Sequence, residues 1–371
     1  MTETGSPRRP ERRAFLKSAA MGGTAALAAP ALATAQGQTT TWRVNTAMPG
    51  GAGLAVFNDW CASIIEKSGG QLAFEPSSPA DGGFGGFGLY DALRSGEREA
   101  VVPFTLYAES FTPAGPFLSS YPMAMRAPHE FDTFYYGLGG LELAREIYAR
   151  EGFYFVGPIH HGPNIIHSRK PINRVDDFRG LTMRAPGGMV SALFEQLGAN
   201  VVSLPGEQIF AAFEAGEIDA ADYVGPAVNY ALGFSKETDF ISMGPPGYMS
   251  VYQPVDLMDL TVRMDVWEAL APEMKYFVET EVQAFSNAHH AAIQAADQEA
   301  WTQFEADGTR VIRLSPEDVR VMTKVAVPIW FEFANRGKDA ARVFKVQLDY
   351  MTSGSLGYVE KEVAELFTLD L

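Results

Sequence analysis

The chain has 371 residues, 47% of them hydrophobic, and a formal charge of −16. That length accommodates two lobes of ordinary size, and so acidic a surface excludes binding of nucleic acid or anionic lipid by charge attraction. One cysteine, Cys61, excludes an intrachain disulfide and any cysteine-based metal centre.

Residues 1–35 read as an export signal. Arg8, Arg9, Arg12, Arg13 and Lys17 precede a modestly apolar stretch, Ala19 to Ala33, and Ala33-Thr34-Ala35 supplies small residues for cleavage. The apolar run is too short for a membrane span, so the expected destination is the periplasm. Glu11-Arg12-Arg13-Ala14-Phe15-Leu16-Lys17 resembles a twin-arginine motif, with Glu11 where Ser or Thr is usual. An ordinary secretory signal would change the route but not the compartment.

Trp42 to Thr46 reads as a first strand. A helix follows with Leu54, Phe57, Trp60, Ile64 and Ile65 on one face, then a second strand from Gln71 to Glu75. Gly83, Gly85 and Gly88 satisfy G-x-G-x-x-G, with Glu109 about 20 residues on, as a dinucleotide site requires. The strand before them should run straight into the first glycine, but Pro76 to Asp81 intervenes. An exported NAD(P)-dependent oxidoreductase using Gly83–Gly88 therefore stands as an alternative. Glu99 to Leu106 reads as a strand with Tyr107 at its carboxyl end. Tyr135-Tyr136-Gly137 introduces a helix reaching Ala149, and Phe153 to Pro158 reads as a strand crossing into a second half. His160 and His161 are adjacent. Neighbours on a strand point to opposite faces, so a loop or hydrogen-bonding role is expected for them rather than one shared ion.

Gly180 to Pro226 contains two similar units. In the first, Leu181 to Met183 forms a strand that delivers Arg184 to its end. Ala185-Pro186-Gly187-Gly188 then turns into a helix carrying Met189, Leu193, Phe194 and Leu197. In the second, a strand at Asn200 to Leu204 turns at Pro205-Gly206 into a helix with Ile209, Phe210 and Phe213, closed by Gly216. A further strand brings Asp219, Asp222 and Tyr223 to the next loop. Short strand–helix–strand units predict a parallel sheet, with ligands beyond the carboxyl ends of its strands. Arg184, Asp222 and Tyr223 sit at such ends. The planar guanidinium fork suits a carboxylate, and a helix start beside it adds a favourable field for an anion.

Farther on, Thr261 to Arg263 is a strand and Val266 to Leu270 a short helix. Glu273 to Asp307 has no proline or glycine, and Pro272 is placed as an N1 proline, which predicts one helix of about 50 Å. His289 and His290 on it read as solvated or packing residues. Ser315-Pro316-Glu317-Asp318 opens another helix. Pro328 should kink or break it, and a last helix covers Ala340 to Tyr350. No G-x-S-x-G elbow, P-loop or H-E-x-x-H occurs, so no catalysis is expected.

The stretch RAPGG…LGANVVSLPGEQIFAAFEAGEIDAADYVGP closely resembles the substrate-binding proteins of TRAP transporters (DctP family), most of all their 2-oxo-acid branch. Asp91-Ala92-Leu93-Arg94-Ser95-Gly96, the run from Tyr135 to Leu143 and His167 to Ile172 extend the likeness over most of the chain. The resemblance implies an α/β fold: a two-lobed periplasmic binding protein (type II-like) with mixed sheets flanked by helices, a long lobe-spanning helix and a C-terminal helix. The expected division is 41–155 plus about 249–270 for one lobe and 156–248 for the other. The spanning helix would cover 271–308 and a C-terminal helical extension 315–371.

It also implies a function, which is to bind a small 2-oxo or 2-hydroxy monocarboxylate between the lobes and deliver it to the TRAP membrane permease. A ligand-binding protein serving a sensor would share the fold. Arg184, Asn164, Tyr223, Tyr107 and Gln253 are the implied substrate contacts, and Asp222, Tyr223 and Gln253 the implied ligands of a bridging Na⁺ or Ca²⁺. Tyr223 stands for the family's tryptophan and Gln253 for its glutamate, which leaves a metal-free site, a different acid or a polyol open. In the 2-oxo-acid branch a C-terminal helix exchanges between two chains. The apolar face from Ile329 to Phe344 would suit such a homodimer, or an intrachain contact equally well.

Overall fold

The computed structural model describes residues 39–48, 50–86, 88–204 and 208–371. The export signal at 1–35 and the turn at Pro205-Gly206 lie outside them. Residues Thr39–Leu371 form one compact unit, built on two sheets. In chain order the strands are β1 (Thr40–Thr46), β2 (Leu72–Ser77), β3 (Ala100–Val102), β4 (Phe153–His160), β5 (Ile165–Ser168), β6 (Thr182–Ala185), β7 (Asn200–Ser203), β8 (Ala220–Tyr223), β9 (Phe240–Met243), β10 (Leu257–Arg263) and β11 (Arg310–Arg313). The first sheet runs β2-β1-β3-β10-β4 and the second β11-β9-β5-β8-β6-β7.

Both sheets are mixed for the same reason. β1, β2 and β3 are parallel, joined through helices, while β10 arrives from the other sheet and lies antiparallel to β3 and β4. In the second sheet β6, β7 and β8 are parallel, and β5 is antiparallel to both β8 and β9. The chain therefore passes between sheets after β4, after β9 and after β10. β4 stays in the first sheet through His160, so the first passage falls at 161–164, beyond the boundary expected at 155.

The helix Pro272–Ala306 makes the third passage. Its N-terminal half packs on the first sheet, where Ser286 Oγ accepts the His160 amide of β4 at 2.9 Å, and on the helix Gly51–Lys67, where Phe285 stacks on Trp60 with ring centroids 4.3 Å apart. Farther along, Asp297 accepts a hydrogen bond from the Ala227 amide at 2.9 Å, at the start of the helix Pro226–Leu232. Gly216 follows the last residues of the helix Ile209–Glu214 with φ +69°, the left-handed C-terminal position that favours glycine.

Two expectations change, and an apolar face finds its use within the chain. The residues from 103 onward are not strand. β3 ends at Val102, and Thr105–Ser110 is a 3₁₀ helix carrying Tyr107. Pro103 carries no backbone N–H, so it cannot extend the strand as a donor. Pro328 does not break its helix, which is continuous from Pro316 to Ala334 with Pro328 exposed. The capping box of Ser315 and Asp318 holds its start, and Val327, Ile329, Trp330 and Phe331 are buried around the proline. The apolar face from Ile329 to Phe344 is used within its own chain. Phe344 packs on Phe117 at 5.1 Å and Phe331 at 5.2 Å, Trp330 donates to the Pro122 carbonyl at 2.9 Å, and Gln347 donates to the Phe117 carbonyl at 2.6 Å. This is the intrachain contact that the sequence left open beside an exchange between two chains.

Pro328→Ala restores one helical N–H at an exposed position and should raise the unfolding free energy by about 1–3 kcal/mol. Urea denaturation followed by circular dichroism measures this; a loss of stability would mean that the ring makes a packing contact the helix needs.

Candidate functional site

The carboxyl ends of β6, β7 and β8 form one rim, and Arg184 ties it together. β6 lies between β7 and β8, with Arg184 in register with Val202 on one side and Ala221 on the other. Its Nε donates to the Leu204 carbonyl at 2.9 Å and its Nη1 to the Asp222 carbonyl at 2.6 Å. The side chain thus binds one main-chain oxygen just after β7 and one near the end of β8. Arg184 is only 6% exposed, and its guanidinium carbon lies 5.6 Å from the Tyr223 ring centroid. Among the described residues Nη2 has no hydrogen-bond partner. The sequence suggested a fork suited to a carboxylate; in the fold two of its three nitrogens position the rim and one is left among the described residues.

A cavity of about 270 Å³ opens beside it, lined by Arg184, Asp222, Tyr223, Tyr107, Asn164 and Asp256, with an apolar wall that includes Leu106 and Val224. Five elements converge there: β6 and β8 of the second sheet, the 3₁₀ helix after β3, the passage after β4, and the segment leading into β10. Four of the five implied substrate contacts therefore line one space, as does Asp222. Gln253 is not on its lining. It pairs with Asn164 through a main-chain bridge and donates Nε2 to Ser120 Oγ at 2.6 Å, so in this geometry it supports the wall.

Asp256 was not singled out from the sequence. It sits in Val255-Asp256-Leu257-Met258, an acid inside an apolar run, and that is the signal that could have marked it. In the fold it is 8% exposed, takes the Leu257 amide at 2.8 Å and Ser120 Oγ at 3.1 Å, and lies 3.5 Å from Asn164 Nδ2. The other motifs fall elsewhere. His160 Nε2 is 2.8 Å from Asp132 Oδ1, while the His161 ring packs 5.2 Å from Phe104 and 5.5 Å from His289. The two histidines face different partners, and His289 is fully buried against the His160 carbonyl. In the glycine loop the Gly83 amide is bonded to Ser78 O, the Phe84 amide to Asn45 Oδ1 and the Gly88 amide to Gly85 O. Those amides are taken, so they make no phosphate cradle.

The electrostatics of the cavity are unusual. Asp222 is 3% exposed and 3.6 Å from Arg184 Nη1. Burial pushes its carboxyl up to about 7; Arg184 pulls it back and Asp256 pushes it further. Burial likewise raises Asp256 to about 6, against the Leu257 amide and the hydroxyl of Ser120. Asp222 Oδ1, Asn164 Oδ1 and Gln253 Oε1 are buried with no hydrogen-bond partner among the described residues. Orphaned acceptors of this kind want a proton donor or a hard cation. Among the described residues no group of three or more His, Cys, Asp or Glu could hold a metal by itself. The protein thus offers two carboxylates and one amide oxygen on the cavity wall, a partial donor set that a ligand's own oxygens would complete.

Asp222 makes stability depend on pH in a defined sense. Its folded value lies above the unfolded one of about 4, so its contribution is full below pH 4 and declines as pH rises to about 7. Asp222→Asn should therefore gain about 3 kcal/mol relative to the natural protein between pH 4 and pH 8. Urea unfolding at the two pH values measures it, and a difference independent of pH would show that the carboxyl is already ionised in the fold.

Comparison with known proteins agrees with this architecture. The family of bacterial extracellular solute-binding proteins, family 7 (DctP), matches residues 51–336. A monocarboxylate 2-oxoacid-binding periplasmic protein of a Nostoc species is 29% identical over 302 residues, 81% of this chain and 80% of that one. A TRAP periplasmic solute-binding protein of Colwellia psychrerythraea, solved with bound calcium and pyruvate, superimposes with a TM-score of 0.72 at 19% identity, over 86% of this chain and 98% of that one. Another from Bordetella bronchiseptica, with calcium and picolinate in one active site of a dimer, gives 0.72 at 22% identity, over 89% and 97%. Among the described residues no helix is long and apolar enough to cross a membrane.

Proposed function

The chain belongs to the bacterial extracellular solute-binding protein family 7 (DctP), a family of binding proteins rather than enzymes, and from that premise we propose the following. It is the periplasmic binding subunit of a TRAP-type transporter, holds a small 2-oxo or 2-hydroxy monocarboxylate in the cavity around Arg184, and delivers it to the membrane permease. The observation that carries this reading is a guanidinium positioned by two carbonyls, its remaining nitrogen without a hydrogen-bond partner among the described residues, on the wall of a cavity large enough for a small acid. A buried N–H···carboxylate bond is charge-assisted and stronger than a neutral one. Exclusion of water from the cavity strengthens it further.

The relative from Nostoc and the Colwellia protein support the acid class, the first by its 2-oxo-acid ligand and the second by pyruvate. The apolar side of the cavity, Leu106 and Val224, suits the hydrocarbon end of such an acid. Its polar side suits a cation shared between protein and ligand. Asp222 and Asn164 supply orphaned oxygens, and Asp256 a second carboxylate. Calcium takes six to eight oxygens, more than this wall provides, so the acid's carboxylate and 2-oxo group would supply the balance. Na⁺ could take the same place with weaker binding.

Calorimetry with pyruvate tests the anchor. Arg184→Ala should lose at least about 100-fold in affinity, roughly 3 kcal/mol, with Arg184→Lys intermediate and its circular dichroism unchanged. An Arg184→Ala protein that stays folded and binds within twofold of the natural one would sink the assignment.

Charge counting on the three buried groups gives a second expectation. Below about pH 6 the two acids are mostly protonated, and Arg184 alone faces the ligand. At pH 8 both are ionised, and the trio carries a net −1, which repels an anion unless a cation is added. Calcium should therefore strengthen pyruvate binding much more at pH 8 than at pH 5.5, and its uptake near pH 7 should release protons. Equal calcium effects at both pH values would remove the cation from the site.

A further inference from the structure

A second cavity, about 400 Å³, lies between the helix Pro316–Ala334 and the segment from Leu356 to Val363, closed on a third side by Arg126 and Tyr248. It shares no lining residue with the cavity around Arg184. Val319, Val327, Leu356 and Val359 make part of it apolar, while Arg126, Arg320 and Lys324 face one acid, Glu360. Along this lining three cations outnumber one acid on a chain of net charge −16, with Glu317 pairing Arg320 and Glu130 holding the Arg126 main chain.

Arg126 is the built part of this site. Its guanidinium carbon lies 3.9 Å from the Tyr358 ring centroid and 5.3 Å from that of Tyr248, and its Nη1 donates to the Tyr248 hydroxyl at 2.8 Å. Both rings supply their negative faces to the cation without neutralising it. Glu130, itself 3% exposed, fixes the frame by accepting the Tyr358 hydroxyl and the Arg126 main-chain amide, the latter at 2.6 Å. Arg320 is paired with Glu317 on its own helix. Among the described residues neither Arg126 nor Lys324 has a carboxylate within ion-pair distance. Arg320 and Lys324 are four residues apart on the helix and so share a face, the same face that carries Val319 and Val327.

We propose that this cavity is a second ligand site, for a small amphipathic monoanion: an apolar chain or ring bearing one carboxylate. The carboxylate meets Arg126 and Lys324, and the apolar body lies against the valines of the helix and of the C-terminal segment. A compact, heavily hydrated anion such as phosphate does not fit this chemistry, because half of the wall offers it no donor and costs it water.

Octanoate titrated into the full chain by calorimetry tests the site. The expected result is one equivalent bound, with affinity unchanged within twofold in Arg184→Lys and Arg184→Ala, and at least tenfold weaker in both Arg126→Gln and Lys324→Glu. Inorganic phosphate should give no saturable heat. Lys324 is exposed, so its variant keeps the test open if Arg126→Gln fails to fold. The proposal is overturned by the absence of saturable octanoate binding. It is equally overturned if binding is lost in the Arg184 variants but untouched in Lys324→Glu, or if phosphate binds as tightly as octanoate.

Discussion

A guanidinium buried at the carboxyl ends of three parallel strands has to be answered by acceptors, and Arg184 finds two of them in the main chain. Its bonds reach the Leu204 carbonyl just after β7 and the Asp222 carbonyl near the end of β8, the strands on either side of β6. Those carbonyls lie at the ends of the strands, and unpaired carbonyls in a buried rim would be costly. The side chain therefore organises the rim before any ligand arrives. It also brings the Asp222 carboxyl to 3.6 Å from its own charge, which sets the electrostatics of the whole cavity.

The rest of the architecture holds the facing wall in place. Tyr107, Asn164 and Asp256 come from three chain segments far apart in sequence, and all three are tied to the first sheet or to the passages leaving it. Asn164 is bonded through its main chain to Gln253, whose side chain reaches Ser120, and Ser120 in turn donates to Asp256. One connected set of buried polar groups thus supports the side of the cavity opposite Arg184. The long helix Pro272–Ala306 packs on β4 in one half and reaches the start of the helix Pro226–Leu232 in the other. It braces both sheets that supply the walls.

Two buried acids beside one arginine is an arrangement that responds to its contents. With both acids protonated the wall is cationic; with both ionised it is anionic. A proton or a hard cation can satisfy the same orphaned oxygens, so anion capture, acidity and cation binding are coupled through Asp222 and Asp256. The C-terminal helices contribute nothing to this cavity. Their apolar face is buried against Phe117 and Tyr121, and a separate basic and apolar hollow forms on their other side, by Arg126 and Tyr358.

The sequence by itself determined the strands and helices around Arg184, because apolar periodicity, glycine stops and proline starts act over a few residues. The alternation from Gly180 to Pro226 was enough to place Arg184, Asp222 and Tyr223 at strand ends, and Ser315 with Asp318 marked a helix start that the fold keeps as a capping box. Only the tertiary structure decided how those residues are used. Whether an arginine's nitrogens are free depends on carbonyls 20 and 38 residues away, and local pattern carries no information about them. Asp256 looked like one acid in an apolar strand until the fold buried it beside Ser120 and Asn164, and Gln253 moved from the cavity to its support for the same reason. Pro328 was read by its local cost alone, and tertiary packing of Val327, Ile329 and Trp330 outweighed it. Local rules act through neighbours in the chain, while a binding site is made by neighbours in space.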